Sequence, residues 1–123
     1  MQFEIRDSRP IWQQLSQQLR ERIVKGDYPP GSHFPTVREL AAQAGVNPNT
    51  MQRAMGQLET DGLVITNRTS GRTVTDREEV LAEMRRTLAL QRTEEYLKDL
   101  KALGLDRAAA RELLEAKGEG ENE

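Results

Sequence analysis

Two helix-initiation signals follow each other closely in the middle of the chain, and they constrain the fold more than any other feature. Thr36 stands at an N-cap position with Glu39 three residues later, which is the capping-box pattern. Asn47 followed by Pro48 is typical of an N-cap and a first helical position. Gly45 lies between the two signals, where it suits a helix end. The pattern predicts two short helices joined by a tight turn, which is a helix-turn-helix.

A longer helix is predicted before this pair, and a β-hairpin after it. Apolar residues at three- and four-residue spacing predict a first helix that starts after Asp7-Ser8, with Pro10 in its first turn. Two short extended runs, 63–66 and 72–75, flank a polar segment that contains glycine, and they predict a hairpin. The order of these elements predicts a mainly α protein with a winged helix-turn-helix head of three helices and a small wing.

The charge and the composition of the chain change near Thr75. The 123 residues hold 18 Lys and Arg against 20 Asp and Glu, a net charge of −2. Residues 1–76 carry nine basic and eight acidic residues, whereas residues 77–123 carry nine and twelve. We therefore predict a DNA-binding domain over residues 1–75 and a helical region over 76–123, the latter ending in a frayed acidic tail from Gly118.

Two further helices are expected in the C-terminal region. A capping box at Thr75 would open a long helix from about Asp76 to Leu103, with Gly104 as its C-cap, and Asp106 would cap a final helix. Two helices cannot enclose a core of their own, so their apolar stripes need burial on the head, on a second chain, or on both. We expect a symmetric homodimer. The predicted dimerisation residues are Leu81, Met84, Leu88, Leu97, Leu100, Leu113 and Leu114.

Composition excludes several classes of site. The chain contains no cysteine, which excludes thiolate metal sites and a Cys nucleophile. His33 is its single histidine, so a Ser-His-Asp triad is hard to build. We expect no catalytic residues, metal or cofactor, and therefore no enzyme. No apolar run is long enough for a membrane span and no signal-peptide pattern opens the chain, which favours a cytoplasmic protein. The short C-terminal region leaves little room for an effector pocket, and the sequence identifies no effector.

The start of the third helix carries side chains suited to base edges in the major groove, where the second helix of a helix-turn-helix lies. Asn and Gln can bond adenine, and Thr can bond a base or contact the thymine methyl. No acidic residue occurs on this helix before Glu59, which suits a surface that faces phosphates. The candidate DNA-binding residues are Asn47, Asn49, Thr50, Gln52 and Arg53, with Arg38 of the preceding helix.

Simpler roles are open for the same residues. Asn47 could act only as a cap, while Asn49 and Thr50 could be solvated first-turn residues. Arg53 could pair with Glu59 or Asp61 instead of DNA.

The hairpin supplies a second candidate contact surface. Its tip and second strand are basic and polar without an acidic residue, which suits phosphate contacts or minor-groove entry, although a plain solvated turn is the alternative. The residues concerned are Arg68, Thr69, Ser70 and Arg72. His33 is expected to be a loop or packing residue.

Four separated segments resemble the GntR family of bacterial transcription regulators, and within it the YtrA-like subfamily. They are IWQQL (11–15), PGSHFPTVRELA (30–41), GVNPNTMQRA (45–54) and LETDGLV (58–64). The resemblance implies a homodimeric repressor whose matching arginine, recognition-helix positions and wing tip contact a double-stranded operator.

The wing departs from the family pattern. Only Gly71 of the usual two glycines is present, Thr73 replaces an aromatic residue, and Arg72 is added. An Arg72 contact to phosphate is a plausible substitute for minor-groove insertion. The main prediction is a sequence-specific DNA-binding repressor that binds a palindromic operator; the alternative is a winged-helix adaptor that binds a protein partner.

Overall fold

The computed structural model describes residues 2–6 and 8–119, and helices dominate this part of the chain. The elements run α1-α2-α3-β1-β2-α4-α5, and the predicted mainly α winged-helix architecture with C-terminal helices is confirmed. The helices are α1 (Ile11–Lys25), α2 (Val37–Ala44), α3 (Pro48–Thr60), α4 (Glu78–Ala102) and α5 (Arg107–Glu119). The strands are β1 (Val64–Asn67) and β2 (Gly71–Val74), paired antiparallel.

The chain forms two compact units, Met1–Arg85 and Arg86–Glu123. The first unit holds the winged helix together with the first turns of α4, so it extends beyond the boundary predicted near Thr75. None of the helices within the described residues is long and apolar enough to cross a membrane.

The core of the first unit lies between α1, α2, α3 and the wing. Leu15 and Leu19 of α1 and Met51, Met55 and Leu58 of α3 are all fully buried. Phe34, Leu40, Leu63, Val64, Val74 and Leu81 extend this cluster. Leu81 belongs to α4, so the head buries part of the stripe that we expected at a dimer contact.

The caps of the helix-turn-helix are the predicted ones. The Thr36 hydroxyl accepts from the Glu39 N–H at 3.1 Å, and the Thr36 N–H donates to the Glu39 carboxylate at 2.8 Å. Hydrogen bonds to the Glu39 carboxylate, first from the Thr36 N–H and second from the Thr36 side chain, hold the pKa of this carboxyl below its ordinary value. The Asn47 side-chain oxygen accepts from the Asn49 N–H at 2.7 Å, with Pro48 at the first helical position. Local side-chain chemistry therefore sets where α2 and α3 begin.

Two predicted helix starts are wrong in detail. Pro10 is the N-cap of α1, not a residue of its first turn, and no side chain caps this end; Asp7 lies outside the described residues. The capping box predicted at Thr75 does not form, because the Thr75 N–H donates to the Leu63 carbonyl at 2.9 Å and its hydroxyl accepts from the Arg77 N–H at 3.2 Å. The backbone at Thr75 thus continues the wing, and α4 begins only at Glu78.

A third segment, residues 31–34, pairs with β2. The Gly31 N–H donates to the Val74 carbonyl and the Val74 N–H to the Ser32 carbonyl, both at 2.9 Å. His33 forms a single bridge with Thr73 and is exposed, in agreement with a loop role. The segment joins the turn before α2 to the wing, and the sequence pattern did not predict this pairing.

The second unit contains the predicted junction between α4 and α5. Gly104 has φ 86° and the Leu105 N–H donates to the Leu100 carbonyl at 3.0 Å, which is a Schellman cap. The Asp106 carboxylate accepts from the Ala109 N–H at 2.9 Å. Of the predicted acidic tail, Gly118 still belongs to α5, and residues 120–123 lie outside the described residues.

The chain before α1 is attached to that helix by two glutamines. Gln14 accepts from the Arg6 N–H at 2.6 Å and donates to the carbonyls of Arg6 at 2.6 Å and Arg9 at 2.8 Å. Gln18 accepts from the Glu4 N–H at 3.0 Å and donates to the Glu4 carbonyl at 2.6 Å. Gln14 and Gln18 are four residues apart on α1, a rise of about 6 Å, and Glu4 and Arg6 are two residues apart in an extended chain, a length of about 6.6 Å. Because these two distances match, both glutamines can bond the segment at once.

We expect Gln14→Ala to lower the free energy of unfolding by about 1–3 kcal/mol, because Gln14 is 3% exposed and the substitution leaves backbone groups of Arg6 without partners. Urea denaturation followed by circular dichroism at fixed protein concentration measures this change. Gln13→Ala on the exposed side of α1 is the matched control. Equal stabilities of the two variants would contradict the attachment.

Candidate nucleic-acid interface

Helix α3 has one fully buried face and one polar exposed face. Met51 and Met55 are 0% exposed within the core, whereas Asn49, Gln52 and Arg53 are exposed. The alternation follows from the 3.6-residue period of the helix. Packing of the apolar face therefore decides which side chains α3 presents outward. Thr50 is half-buried.

Asn47 has a cap role and retains a free donor. Its side-chain oxygen is used by the Asn49 N–H, and within the described residues its amide nitrogen makes no hydrogen bond. The predicted cap role is confirmed, and the amide nitrogen at the exposed start of α3 can still donate to a ligand.

Arg53 pairs with neither of the carboxylates considered from the sequence. Its guanidinium lies over the ring of Trp12, 4.4 Å from the centroid, in a cation–π contact with α1. Glu59 bonds Arg72 and Asp61 bonds Arg20. The charge of Arg53 is thus held in place on the polar side of α3 without being neutralised.

Arg38 is the second residue of α2 and is exposed. It makes no hydrogen bond or ion pair within the part of the chain that the structure describes. A free guanidinium at this position is available to an anion.

The arginine at the wing tip and the arginine in the second strand differ in their exposure and in their bonding. Arg68, Thr69 and Ser70 form the exposed turn between β1 and β2. Arg72 lies in β2, is 24% exposed at the side chain, and donates from Nε to the Glu59 carboxylate at 3.2 Å. The predicted basic wing surface thus contains one arginine at the exposed tip and one that is already paired.

An ion pair that the sequence pattern did not suggest joins α1 to the end of α3. Arg20 Nε donates to the Asp61 carboxylate at 2.7 Å, and the two side chains are 19% and 12% exposed. Gln57 donates to the other oxygen of Asp61 at 3.2 Å. Partial burial strengthens such a pair relative to an exposed one, so it helps to fix α3 on α1.

The predicted dimerisation residues occupy different environments. Leu81 is 3% exposed within the core of its own chain, and Met84 packs against that core, so neither offers much surface to a partner. Leu88 is 6% exposed. Leu97 and Leu100 are half-buried. Leu113 and Leu114 are 47% and 62% exposed in the single chain.

The second unit also contains an open groove of about 820 Å³. Leu97 and Leu105 supply apolar lining, and Lys98, Lys101 and Arg107 line it as well. The sequence had led us to expect little room for a pocket; the groove forms because the Schellman turn at Gly104 separates α4 from α5. The described residues contain no group of three or more His, Asp or Glu side chains that could hold a metal ion.

Comparison with known proteins agrees with this geometry. Residues 12–74 match the family described as "Bacterial regulatory proteins, gntR family". The chain is 33% identical to the HTH-type transcriptional repressor YtrA of Bacillus subtilis over 86% of this chain and 82% of the relative.

Two solved structures extend the comparison. A GntR family transcriptional regulator from Listeria monocytogenes superposes with a TM-score of 0.80 at 30% identity, covering 91% of this chain and 98% of that one. The AraR DNA-binding domain in complex with operator ORE1 superposes with a TM-score of 0.52 at 27% identity, covering 61% and 94%. The match over the whole head and the similarity beyond it lead to one conclusion: the chain belongs to the GntR family, whose members similar to it include YtrA and other HTH-type transcriptional regulators.

Proposed function

We propose that this chain is a sequence-specific DNA-binding repressor that acts as a homodimer on a palindromic operator. Helix α3 would lie in the major groove, and the wing would contact the phosphate backbone or the minor groove. The polar outward face of α3, fixed by burial of the opposite face, is the observation that carries this proposal.

The chemistry of that face supports direct contact with bases. Asn49 and Gln52 are exposed amides that can bond adenine at two positions, and the Asn47 amide nitrogen is unused within the described residues. The first turn of α3 also contains no acidic residue, and the positive end of the helix dipole lies there, which favours a nearby phosphate. These groups would supply specificity, and the helix start would supply positioning.

The arginines around α3 support backbone contacts. Arg38 and Arg68 are exposed, and Arg53 is held over Trp12 without a carboxylate partner in the described residues. The AraR domain, which resembles this head, was solved on its operator. A net charge of −2 then predicts weak background binding to DNA rather than none, since affinity would depend on these few local charges.

The homodimer is supported by apolar surface in the second unit. Leu113 and Leu114 are exposed, Leu97 is half-buried, and the groove beside Leu97 is open. Burial of such residues against a second copy would remove apolar area from water and place two α3 helices for two half-sites.

We assign the protein to the cytoplasm because a regulator must reach the DNA that it binds. We propose no catalytic activity and no cofactor, and the structure identifies no effector.

Replacing both Arg38 and Arg53 with alanine should weaken binding to the cognate duplex by about tenfold or more, because each arginine would contact phosphate or a base. It should also make the slope of log K against log salt shallower. A gel shift with the upstream region of the protein's own gene measures both effects. Arg111→Ala, on the exposed side of α5, removes one charge outside the proposed interface and serves as the control. Unchanged affinity of the double variant, or a wild-type protein that captures a protein and no DNA, would favour the adaptor alternative.

Asn47→Asp separates the cap role from the DNA role. Aspartate is as good an N-cap as asparagine and its charge suits a helix start, so the melting temperature should stay within a few degrees or rise. Affinity for DNA should fall by about tenfold or more, because a carboxylate replaces a donor close to phosphates. Thermal melts and fluorescence anisotropy with labelled duplex provide the two readouts. A variant that binds DNA as the wild type does would restrict Asn47 to capping.

Leu97→Glu combined with Leu100→Glu should convert the dimer to a monomer at micromolar concentration, since four carboxylates would enter the interface. Sedimentation velocity measures the change in mass. Ala102→Glu adds a charge on another side of α4 and should leave the dimer intact. A wild-type monomer, or a dimer unaffected by the paired substitution, would refute the proposed interface.

A further inference from the structure

One carboxylate at the end of α3 bonds both strands of the wing. The Glu59 Oε2 atom accepts from the Arg72 Nε at 3.2 Å and from the Thr66 hydroxyl. Thr66 and Arg72 are direct cross-strand partners in the β1–β2 register, so their side chains lie on the same face of the hairpin. A single residue of the recognition helix therefore holds a matched pair of wing residues.

The position of Glu59 places its charge near the proposed DNA surface. Glu59 follows Gln52 by seven residues, which is about two helical turns, so both lie on the same side of α3. Gln52 is exposed and Glu59 is half-buried, so this side of α3 borders the buried face that Met55 and Leu58 occupy. Glu59 is also the only acidic residue within α3, and its side chain is 31% exposed.

The partner of Glu59 is a group that DNA would also bind. Arg72 is 24% exposed at the side chain, so its guanidinium is reachable while it is paired. A guanidinium bonds phosphate as readily as carboxylate. Glu59 uses the Nε–H of Arg72, so a phosphate that takes this donor must displace Glu59, and a phosphate at any other donor of the guanidinium meets the repulsion of that carboxylate. Arg68 at the exposed wing tip has no ion pair within the described residues and faces no such competition.

We propose that Glu59 limits the affinity of the protein for DNA. In the free protein Glu59 is the partner of Arg72, and on DNA binding a backbone phosphate takes its place. The inference rests on the proposed DNA-binding function. Because the ion pair with Glu59 is lost on binding, the contact between Arg72 and phosphate adds little net affinity on a duplex that fits poorly. Non-specific binding therefore stays weak. Glu59 thereby favours operator over random sequence, because only a close fit of α3 supplies enough contacts to offset the lost ion pair.

Glu59→Gln tests the exchange, since glutamine keeps the length and an oxygen acceptor for Thr66 but removes the charge. Affinity for a random-sequence duplex should rise about three- to tenfold at low salt, and the slope of log K against log salt should steepen by about one. The ratio of specific to non-specific affinity should fall. Glu112→Gln, exposed on α5, makes the same change in net charge and should leave binding unchanged.

The double variant identifies the partner. Arg72→Gln should cost more affinity in the Glu59→Gln protein than in the wild type, and Glu59→Gln combined with Arg72→Gln should lose the gain entirely. A gain that persists without Arg72, or equal affinities of Glu59→Gln and wild type, would overturn the proposal. Wild-type protein that fails to bind any duplex at low salt would refute the proposed function itself.

A measurement on the unmodified protein does not depend on the folding of a variant. The Arg72 side-chain Nε–H resonance, observed by NMR, should shift when duplex DNA is added, because its acceptor changes from carboxylate to phosphate. The Arg20 Nε–H, bonded to Asp61 between α1 and α3, should not shift and serves as an internal control. An Arg72 resonance that is unchanged in the bound state would contradict the exchange.

Discussion

The packing of α3 on α1 is the contact on which the rest of the head depends. Leu15 and Leu19 meet the buried side of α3, and Met51 and Met55 are removed from water completely. Each such side chain contributes roughly 1.5–3 kcal/mol when buried. Because the helix period is fixed, burial of one face determines the rotation of α3 and so the side chains that point outward. The proposed interface is thus a consequence of the core.

Contacts of charged side chains further fix the surface whose orientation the core determines. Arg20 and Asp61 join α1 to the end of α3, and Glu59 joins α3 to the wing through Arg72. Arg53 lies over Trp12, so its charge is oriented but not cancelled. The net charge of −2 is therefore a poor guide to this surface, since acidic residues near it are already bonded to basic ones.

Features governed by neighbouring residues were predictable from the sequence. Thr36 with Glu39, Asn47 with Pro48, and Gly104 with Leu105 form the expected helix ends, because each cap is completed within a few residues. Thr75 fails as a cap because its N–H is used by Leu63, a partner that the local pattern does not reveal.

Contacts between distant segments were not predictable in this way. The pairing of residues 31–34 with β2, the Glu59–Arg72 ion pair and the Gln14 bonds to the N-terminal segment each need the fold before the partners meet. The sequence did single out Glu59, because it is the one acidic residue of α3. Its partner could be named only once the register Thr66↔Arg72 was known.

Selection of binding sites from random duplex DNA with the wild-type protein tests the central claim most directly. A homodimer with one α3 in each half-site should enrich a palindrome whose half-site centres are separated by about one helical turn or a multiple of it, because two α3 helices would enter successive major grooves. Enrichment of a single unpaired half-site would contradict the dimer, and no enrichment at low salt would contradict the assignment of α3 as a recognition helix.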